Sequence, residues 1–154
     1  VMKSGVLPTL EKGLSVEHKD TVMHCLKTLY SLCSDSNFME SISKTSLPTT
    51  LCGIASKAKC SADEYAYVVK LISGLCYEKR SRLFMQKPAL FQQIFSILQQ
   101  NLRPELSVWL MNGLAFLVID YSDAKDLFGM GILSILNSVH TVLHSSGSQA
   151  SYVQ

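Results

Sequence analysis

Charged residues are scarce in this 154-residue chain, and neither sign of charge predominates. Asp, Glu, Lys and Arg make up 17% of it, compared with roughly 25% in an average soluble domain. Fourteen basic and twelve acidic residues leave a formal net charge of +2. Because nucleic-acid affinity needs a concentrated basic surface, we expect no nucleic-acid partner. A disordered chain would be poor in apolar residues, whereas 47% of this one is apolar.

Long apolar runs are also missing. The longest, residues 108–119, is interrupted by Asn112 and Gly113. A membrane-spanning helix needs about 20 predominantly apolar residues. We therefore expect a buried helix at this place and no insertion into a membrane.

The cysteines do not form the even set that a disulfide framework favours. Five are present, all in apolar contexts and without a CxxC spacing: Cys25, Cys33, Cys52, Cys60 and Cys76. We predict reduced thiols that pack as small apolar side chains. Their presence favours an intracellular protein, and we expect a cytoplasmic location with a nuclear one as the alternative.

Helical periodicity is the feature that the chain has in abundance. Apolar residues recur at three- and four-residue spacing in the segments 22–33, 65–76 and 108–118, as on one face of a helix. Strict alternation, typical of strands, is not sustained anywhere. Ser61 before an acidic turn predicts a helix start, and Pro104 predicts another. The sequence therefore predicts an all-α fold.

The helical segments repeat with a period near 42 residues. One set of equivalent positions in the long segments is Leu29, Ile72 and Leu114, which are 43 and 42 residues apart, and a second set with the same spacing is Leu32, Leu75 and Leu117. The helices in front contribute a third set with gaps of 40, 43 and 43 residues: Leu7, Leu47, Leu90 and Leu133. A period of this length is typical of helical solenoids, and chance agreement in a leucine-rich chain is the alternative.

The run Gly-Val-Leu-Pro-Thr-Leu at residues 5–10, with the long helix that ends at residues 26–33, resembles an armadillo repeat. That family has a short first helix, a second helix that opens with Gly-Ile/Val-Pro-x-Leu, and a long third helix. The third helix recurs at 67–76 and 109–118, and short first helices are expected at 37–44, 80–87 and 123–130. The resemblance covers about residues 4–145 and implies a right-handed α-solenoid of about three to four repeats. A HEAT-like solenoid with two helices per repeat is the alternative.

The resemblance implies one repeat domain over residues 1–145. Both ends of this domain are apolar, so we expect either a piece of a longer protein or an end that forms a homodimer. Residues 146–154 are rich in small polar residues, which predicts a flexible tail.

The resemblance also implies a binding surface, because third helices line the concave face of such a solenoid, where partner peptides or helices bind. In the family, the third helix carries a Trp and, four residues later, an Asn that holds the peptide backbone. Trp109 has the Trp position, but Gly113 stands where Asn is expected and Asn112 comes one residue early. The candidate partner-binding residues are His24, Lys27, Thr28, Tyr67, Lys70, Leu71, Trp109, Asn112 and Gly113.

Two features of this candidate site have alternatives. We predict a ladder of rings formed by His24, Tyr67 and Trp109. The row of Asn side chains that nuclear import receptors have beside such rings is absent. The alternative for Trp109 is that it packs between repeats. Lys27 and Lys70 favour an acidic partner segment, unless the lysines only form a solvated face.

No combination of residues predicts catalysis. His140 and His144 are four residues apart, but Thr141 stands where a zinc protease has Glu. We expect no catalytic residue, metal or cofactor. The predicted function is a non-catalytic scaffold that binds a partner peptide or helix along its concave face, and the resemblance adds cytoskeletal or ciliary assemblies as its context. The alternatives are a self-association domain that oligomerises its parent protein and a solenoid-type enzyme regulator.

Overall fold

The computed structural model describes residues 5–100, 104–119, 124–129, 131–134, 136–137 and 140–141. Most of these residues are helical and no strand occurs among them, so the all-α prediction is confirmed for this part of the chain. The nine helices assigned within it are α1 (Val6–Leu14), α2 (Lys19–Leu32), α3 (Ser36–Ser43), α4 (Leu47–Ala55), α5 (Ala62–Tyr77), α6 (Lys79–Met85), α7 (Pro88–Gln100), α8 (Pro104–Ile119) and α9 (Ala124–Gly129).

Short polar or acidic side chains cap the N-termini of several helices. The Ser61 hydroxyl accepts a hydrogen bond from the Glu64 backbone N–H at 3.2 Å, and the Glu64 carboxylate accepts one from the Ser61 N–H at 2.7 Å. This capping box pairs N–H groups that a helix start otherwise leaves unpaired. It confirms the predicted start of α5, and α8 begins at the predicted Pro104.

The two short helices α3 and α6 have equivalent caps. Asp35 accepts hydrogen bonds from the backbone at the start of α3, and Glu78 accepts one at the start of α6. The two acids are 43 residues apart in the sequence. Because the caps hold the first turns, both helices begin one residue before their predicted starts. The predicted start and end of the third short helix, at 123 and 130, lie outside the described residues.

Helices that are about 42 residues apart pack on one another. The long helix α5 contacts α2 and α8, α4 contacts α1 and α7, and α3 contacts α6. Consecutive helices also pack, since α1 contacts α2, α4 contacts α5 and α7 contacts α8. The three long helices α2, α5 and α8 thus form a row in which α5 is the middle member.

The first set of repeating leucine and isoleucine positions is buried throughout, at Leu29, Ile72 and Leu114. The second set is not uniform, because Leu75 and Leu117 are buried while Leu32 is exposed. Helices α5 and α8 each pack on the long helix before them in the chain, whereas α2 has no preceding long helix among the described residues, so the equivalent position on α2 is open.

The third set is not uniform either, since its first member, Leu7, is only partly buried. Leu47 and Leu90 are buried, whereas Leu133 is exposed and the neighbouring Ile132 is buried in its place. A shift of one residue turns a side chain by about 100° around a helix. Leu133 therefore does not share the buried environment of Leu47 and Leu90.

Polar side chains of α6 and the residue after it bind the end of α8. Arg82 Nη1 donates to the carbonyl oxygen of Phe116 at 3.4 Å, and Gln86 Nε2 donates to that of Leu117 at 3.1 Å. Both carbonyls belong to the last turn of α8, where no intrahelical N–H is available. These bonds tie the end of α8 to the preceding short helix.

Helices α5 and α8 approach each other closely at Gly113. A Cβ atom at this position would lie 3.0 Å from the Ser73 Cα, 3.1 Å from the Ser73 carbonyl oxygen and 3.2 Å from the Cys76 Cβ. The nearest obstacles are backbone atoms, which cannot turn aside as a flexible side chain can. Only glycine therefore permits this approach.

Replacing Gly113 with alanine tests the close approach. We expect Gly113→Ala to lower the free energy of unfolding by about 1–3 kcal/mol because α5 and α8 must separate. The matched control is Gly53→Ala in α4, where a Cβ meets nothing within 4 Å, and alanine there should raise stability by about 0.5–1 kcal/mol. Urea unfolding followed by circular dichroism measures both, and equal effects at the two glycines would contradict the packing argument.

The five cysteines are free thiols in the structure, as their odd number predicts. Cys52 and Cys76 are buried, and Cys25, Cys33 and Cys60 are partly buried. Burial raises the pKa of Cys52 to about 12 and raises the pKa of Cys76 as well. Because the thiolate is the reactive form, these two thiols are chemically protected while the protein is folded.

The raised thiol pKa values predict a loss of stability in alkali. Below the unfolded pKa of about 9 both states hold the proton. Above it the unfolded chain loses protons that folded Cys52 and Cys76 keep, so the free energy of unfolding should fall, on the order of 1–3 kcal/mol between about pH 8 and about pH 10. Urea unfolding at both pH values measures this. The double variant Cys52→Ala/Cys76→Ala should show a smaller fall, and an unchanged fall would refute this assignment.

Candidate functional site

A groove with a volume of about 660 Å³ lies along the row of α2, α5 and α8. Four aromatic side chains line it: Tyr30 from α2, Tyr77 from α5, and Trp109 and Phe116 from α8. Trp109 is 52% exposed, Tyr77 64% and Tyr30 44%. The groove is therefore open to solvent, although most of its wall is apolar.

Edge-to-face contacts between neighbouring helices hold the aromatic rings in place. The ring centroids of Tyr77 and Phe116 are 4.6 Å apart with an interplanar angle of 72°. Those of Tyr30 and Tyr67 are 5.6 Å apart with an angle of 76°. Such geometry is favourable because the positive edge of one ring meets the negative face of the other. Tyr67 thus lies beside Tyr30 and supports its ring.

Lys70 carries the positive charge of the groove. Its Nζ atom lies 6.0 Å from the ring centroid of Tyr30 and 6.0 Å from that of Trp109. Both distances fall within the range of cation–π attraction. Lys70 has no ion pair or hydrogen bond with any residue that the structure describes. Its ammonium group is thus held over two rings, and no carboxylate of the described residues pairs with it.

Five of the nine candidate partner-binding residues line the groove: Lys70, Leu71, Trp109, Asn112 and Gly113. The three candidates on α2 lie elsewhere on that helix. His24 and Thr28 are exposed; His24 Nδ1 is 2.6 Å from the Asp20 carbonyl oxygen, and the Thr28 hydroxyl donates to the His24 carbonyl oxygen at 2.8 Å. Lys27 is exposed and does not line the groove.

Helix α2 reaches the groove at its other end, through Tyr30 and Cys33. Of the predicted ladder of His24, Tyr67 and Trp109, Trp109 alone lines the groove; Tyr30 lies there in place of His24, and Tyr67 contacts the Tyr30 ring without lining the groove. The reason is geometric: the part of α2 that faces the groove lies more than one turn beyond His24.

Three of the groove's aromatic residues, Tyr30, Tyr77 and Phe116, are missing from the sequence-based candidates. A signal for two of them was present, since the lining residues of α8 fall at 109, 112, 113 and 116 and those of α5 at 70, 71, 73, 74 and 77. Each set marks one face of a helix at spacings of three, four and seven residues. Extending the candidates by two turns, or seven residues, from Trp109 and from Lys70 would have found Phe116 and Tyr77.

The packing at Gly113 gives a physical reason for the missing Asn. The place where the armadillo resemblance expects Asn faces Ser73 of α5 at a distance that admits no side chain. Asn112, one residue earlier, is exposed and lines the groove. Its amide forms no hydrogen bond with the residues that the structure describes. An amide that offers both a donor and an acceptor is thus free on the groove wall.

A second cavity of about 430 Å³ lies between the start of α2 and the connection from α4 to α5. Its lining mixes both signs of charge, with three lysines and two glutamates: Lys19, Lys57, Lys59, Glu17 and Glu64. Glu64 is already engaged in the capping box of α5. The cavity therefore has no dominant charge and no concentration of exposed aromatic rings.

Within the described residues, no three His, Cys, Asp or Glu side chains are grouped so that they could hold a metal ion. His144, one of the pair considered from the sequence, lies outside those residues. None of the described helices combines the length and the apolar character needed to cross a membrane.

Comparison of the chain with known protein families, curated proteins and solved structures gives no match.

The contact between Tyr77 and Phe116 predicts an energetic coupling across the groove. In a double-mutant cycle of Tyr77→Ala and Phe116→Ala, we expect a coupling of about 0.5–1.5 kcal/mol in the free energy of unfolding. The control cycle pairs Tyr77→Ala with Leu83→Ala on α6, which lies outside the groove, and it should show no coupling. Additive effects in the first cycle would mean that the two rings do not contact each other in solution.

Proposed function

We propose that this chain is a non-catalytic, armadillo-like protein-binding module, a right-handed α-solenoid that binds a segment of a partner protein along the row of α2, α5 and α8. On this proposal α1 and α2 belong to a first repeat, α3–α5 to a second, α6–α8 to a third, and α9 begins a fourth. The contacts between helices of equivalent position support this division, as do the caps Asp35 and Glu78, 43 residues apart.

The observation that carries the proposed function is the open aromatic groove. Trp109, Tyr77 and Tyr30 are each at least 44% exposed, although they are large rings that gain free energy from leaving water. Trp and Tyr are the residues most enriched among interface hot spots. A groove of such rings between packed helices offers a partner a surface that is already formed.

The shape of the groove favours a protein segment as its ligand. It runs across three helices, and its most prominent rings are more than half exposed, so it does not enclose a small molecule on all sides. A peptide or helix can place side chains into such a groove while its backbone stays at the surface. A scaffold of this kind would act in the cytoplasm, and the armadillo resemblance extends the proposal to cytoskeletal or ciliary assemblies.

Self-association is the second candidate function. Apolar side chains are exposed on the last helices described, among them Ile119 at the end of α8, Phe128 in α9 and Leu133. A second copy of the chain that covers them would remove apolar surface from water. In that case the module would oligomerise its parent protein through this end.

Proximity labelling with the intact protein in its own cells tests the binding function. We expect a double variant Trp109→Ala/Tyr77→Ala to lose a defined set of labelled neighbours, because truncation of hot-spot residues typically costs about 2 kcal/mol or more. Its helicity should stay near normal, since both side chains are mainly exposed. The control is Leu83→Ala, an exposed residue of α6 outside the groove. Neighbours that are labelled equally by the groove variant and the control would contradict a role for the groove.

Sedimentation over a range of concentrations separates the second candidate from the first. A binding module should remain at the chain mass of 17.0 kDa. A mass that rises to twice this value, and that Ile119→Ser returns to the monomer, would favour self-association.

A further inference from the structure

We infer that the groove recognises an acidic side chain of its partner, with a Glu or Asp carboxylate paired to Lys70 and neighbouring apolar side chains packed on the aromatic rings. This inference rests on the proposed function and adds the chemistry of the partner to it. The partner is therefore a protein segment in which an acidic residue stands among aliphatic or aromatic ones.

The charge of the groove favours an acidic ligand. Among the described residues that line it, Lys70 is the sole cation and none is acidic. A carboxylate entering the groove would meet an unpaired ammonium group and no like charge. A cationic side chain would be repelled by Lys70, which already occupies the position between the rings of Tyr30 and Trp109.

The hydrogen-bond donors that the groove offers favour a carboxylate side chain over other anions. A phosphate carries a charge of about −1.5 to −2 and is typically bound by several cations or by arginine forks, whereas this groove has one lysine. Capture of a C-terminal carboxylate uses free backbone N–H groups. Nine of the thirteen residues that line the groove belong to α5 and α8 beyond their first turns, where N–H groups are engaged in the helices.

Asn112 adds a second polar contact on the opposite wall. Its exposed amide can donate to the carboxylate or pair with the backbone of the bound segment. The apolar part of the groove, with Tyr77, Phe116 and the flexible Met39, remains for the neighbouring side chains. A volume of about 660 Å³ lies within the range of about 300–1,000 Å³ typical of ligand pockets. It therefore holds a few side chains.

Selection from a random peptide display library, with the intact chain as the target, tests this inference. Trp109 is the one tryptophan of the chain, so its fluorescence reports binding in the groove directly. We expect the peptides that change this fluorescence, and that no longer bind Trp109→Ala, to be enriched in Glu or Asp next to apolar residues. Their affinity should fall as salt is added, because the ion pair is screened.

Charge variants then identify the pair. We expect Lys70→Gln to weaken these peptides about tenfold, and the same loss when the peptide's Glu is changed to Gln. Both changes together should lower the affinity little more than either change alone, because either one already removes the contact between Lys70 and the Glu of the peptide. The control is Lys57→Gln, an exposed lysine outside the groove, and it should leave the affinity unchanged.

The possible outcomes distinguish this inference from the proposed function. Peptides that depend on Trp109 but are neutral or basic, or that bind Lys70→Gln as well as the wild type, overturn the acidic pairing and leave the binding function intact. If no selected peptide depends on Trp109, the proposed function fails and the inference fails with it. The Glu→Gln change in the peptide leaves the protein untouched, so the test does not depend on how Lys70→Gln folds.

Discussion

The close packing of α8 on α5 is the contact on which the groove depends. At Gly113 the two helices are so near that a methyl group would meet the backbone of Ser73. This approach brings Trp109 of α8 within cation–π distance of Lys70 on α5 and sets Phe116 edge-to-face with Tyr77. A larger residue at 113 would separate the helices and with them the walls of the groove. The glycine thus positions both the rings and the charge.

Side chains from three different helices together give the groove its charge and its rings. Helix α2 supplies Tyr30, α5 supplies Lys70 and α8 supplies Trp109, so the cation lies between rings that belong to its two neighbours. Cation–π attraction holds the ammonium group in position without neutralising it. A surface of this kind presents a fixed positive charge among rings, which is the property that the proposed acidic partner segment would use.

Much of the fold can be predicted from the sequence, because the spacing of apolar residues within a short segment indicates a helix. The period of three and four residues predicts the long helices, and the capping box at Ser61 and the proline at 104 mark starts that the structure confirms. The equivalent positions Leu29, Ile72 and Leu114 are all buried. Of the candidate site, Trp109 and Lys70 were found from the same spacing and from the armadillo resemblance, whose solenoid form remains a proposal.

Amino-acid order alone determined which face of each helix is apolar, since that depends on neighbours three or four residues away. Tertiary structure decided which of those faces stay open. Leu32 and Leu75 have equivalent positions, yet one is exposed and the other buried, because α5 packs on the long helix before it and α2 has no such helix among the described residues. Tyr30 lies in the groove and His24 does not, because only the C-terminal end of α2 reaches the groove. Exposure depends on contacts between residues about 40 positions apart, and no local pattern contains that information.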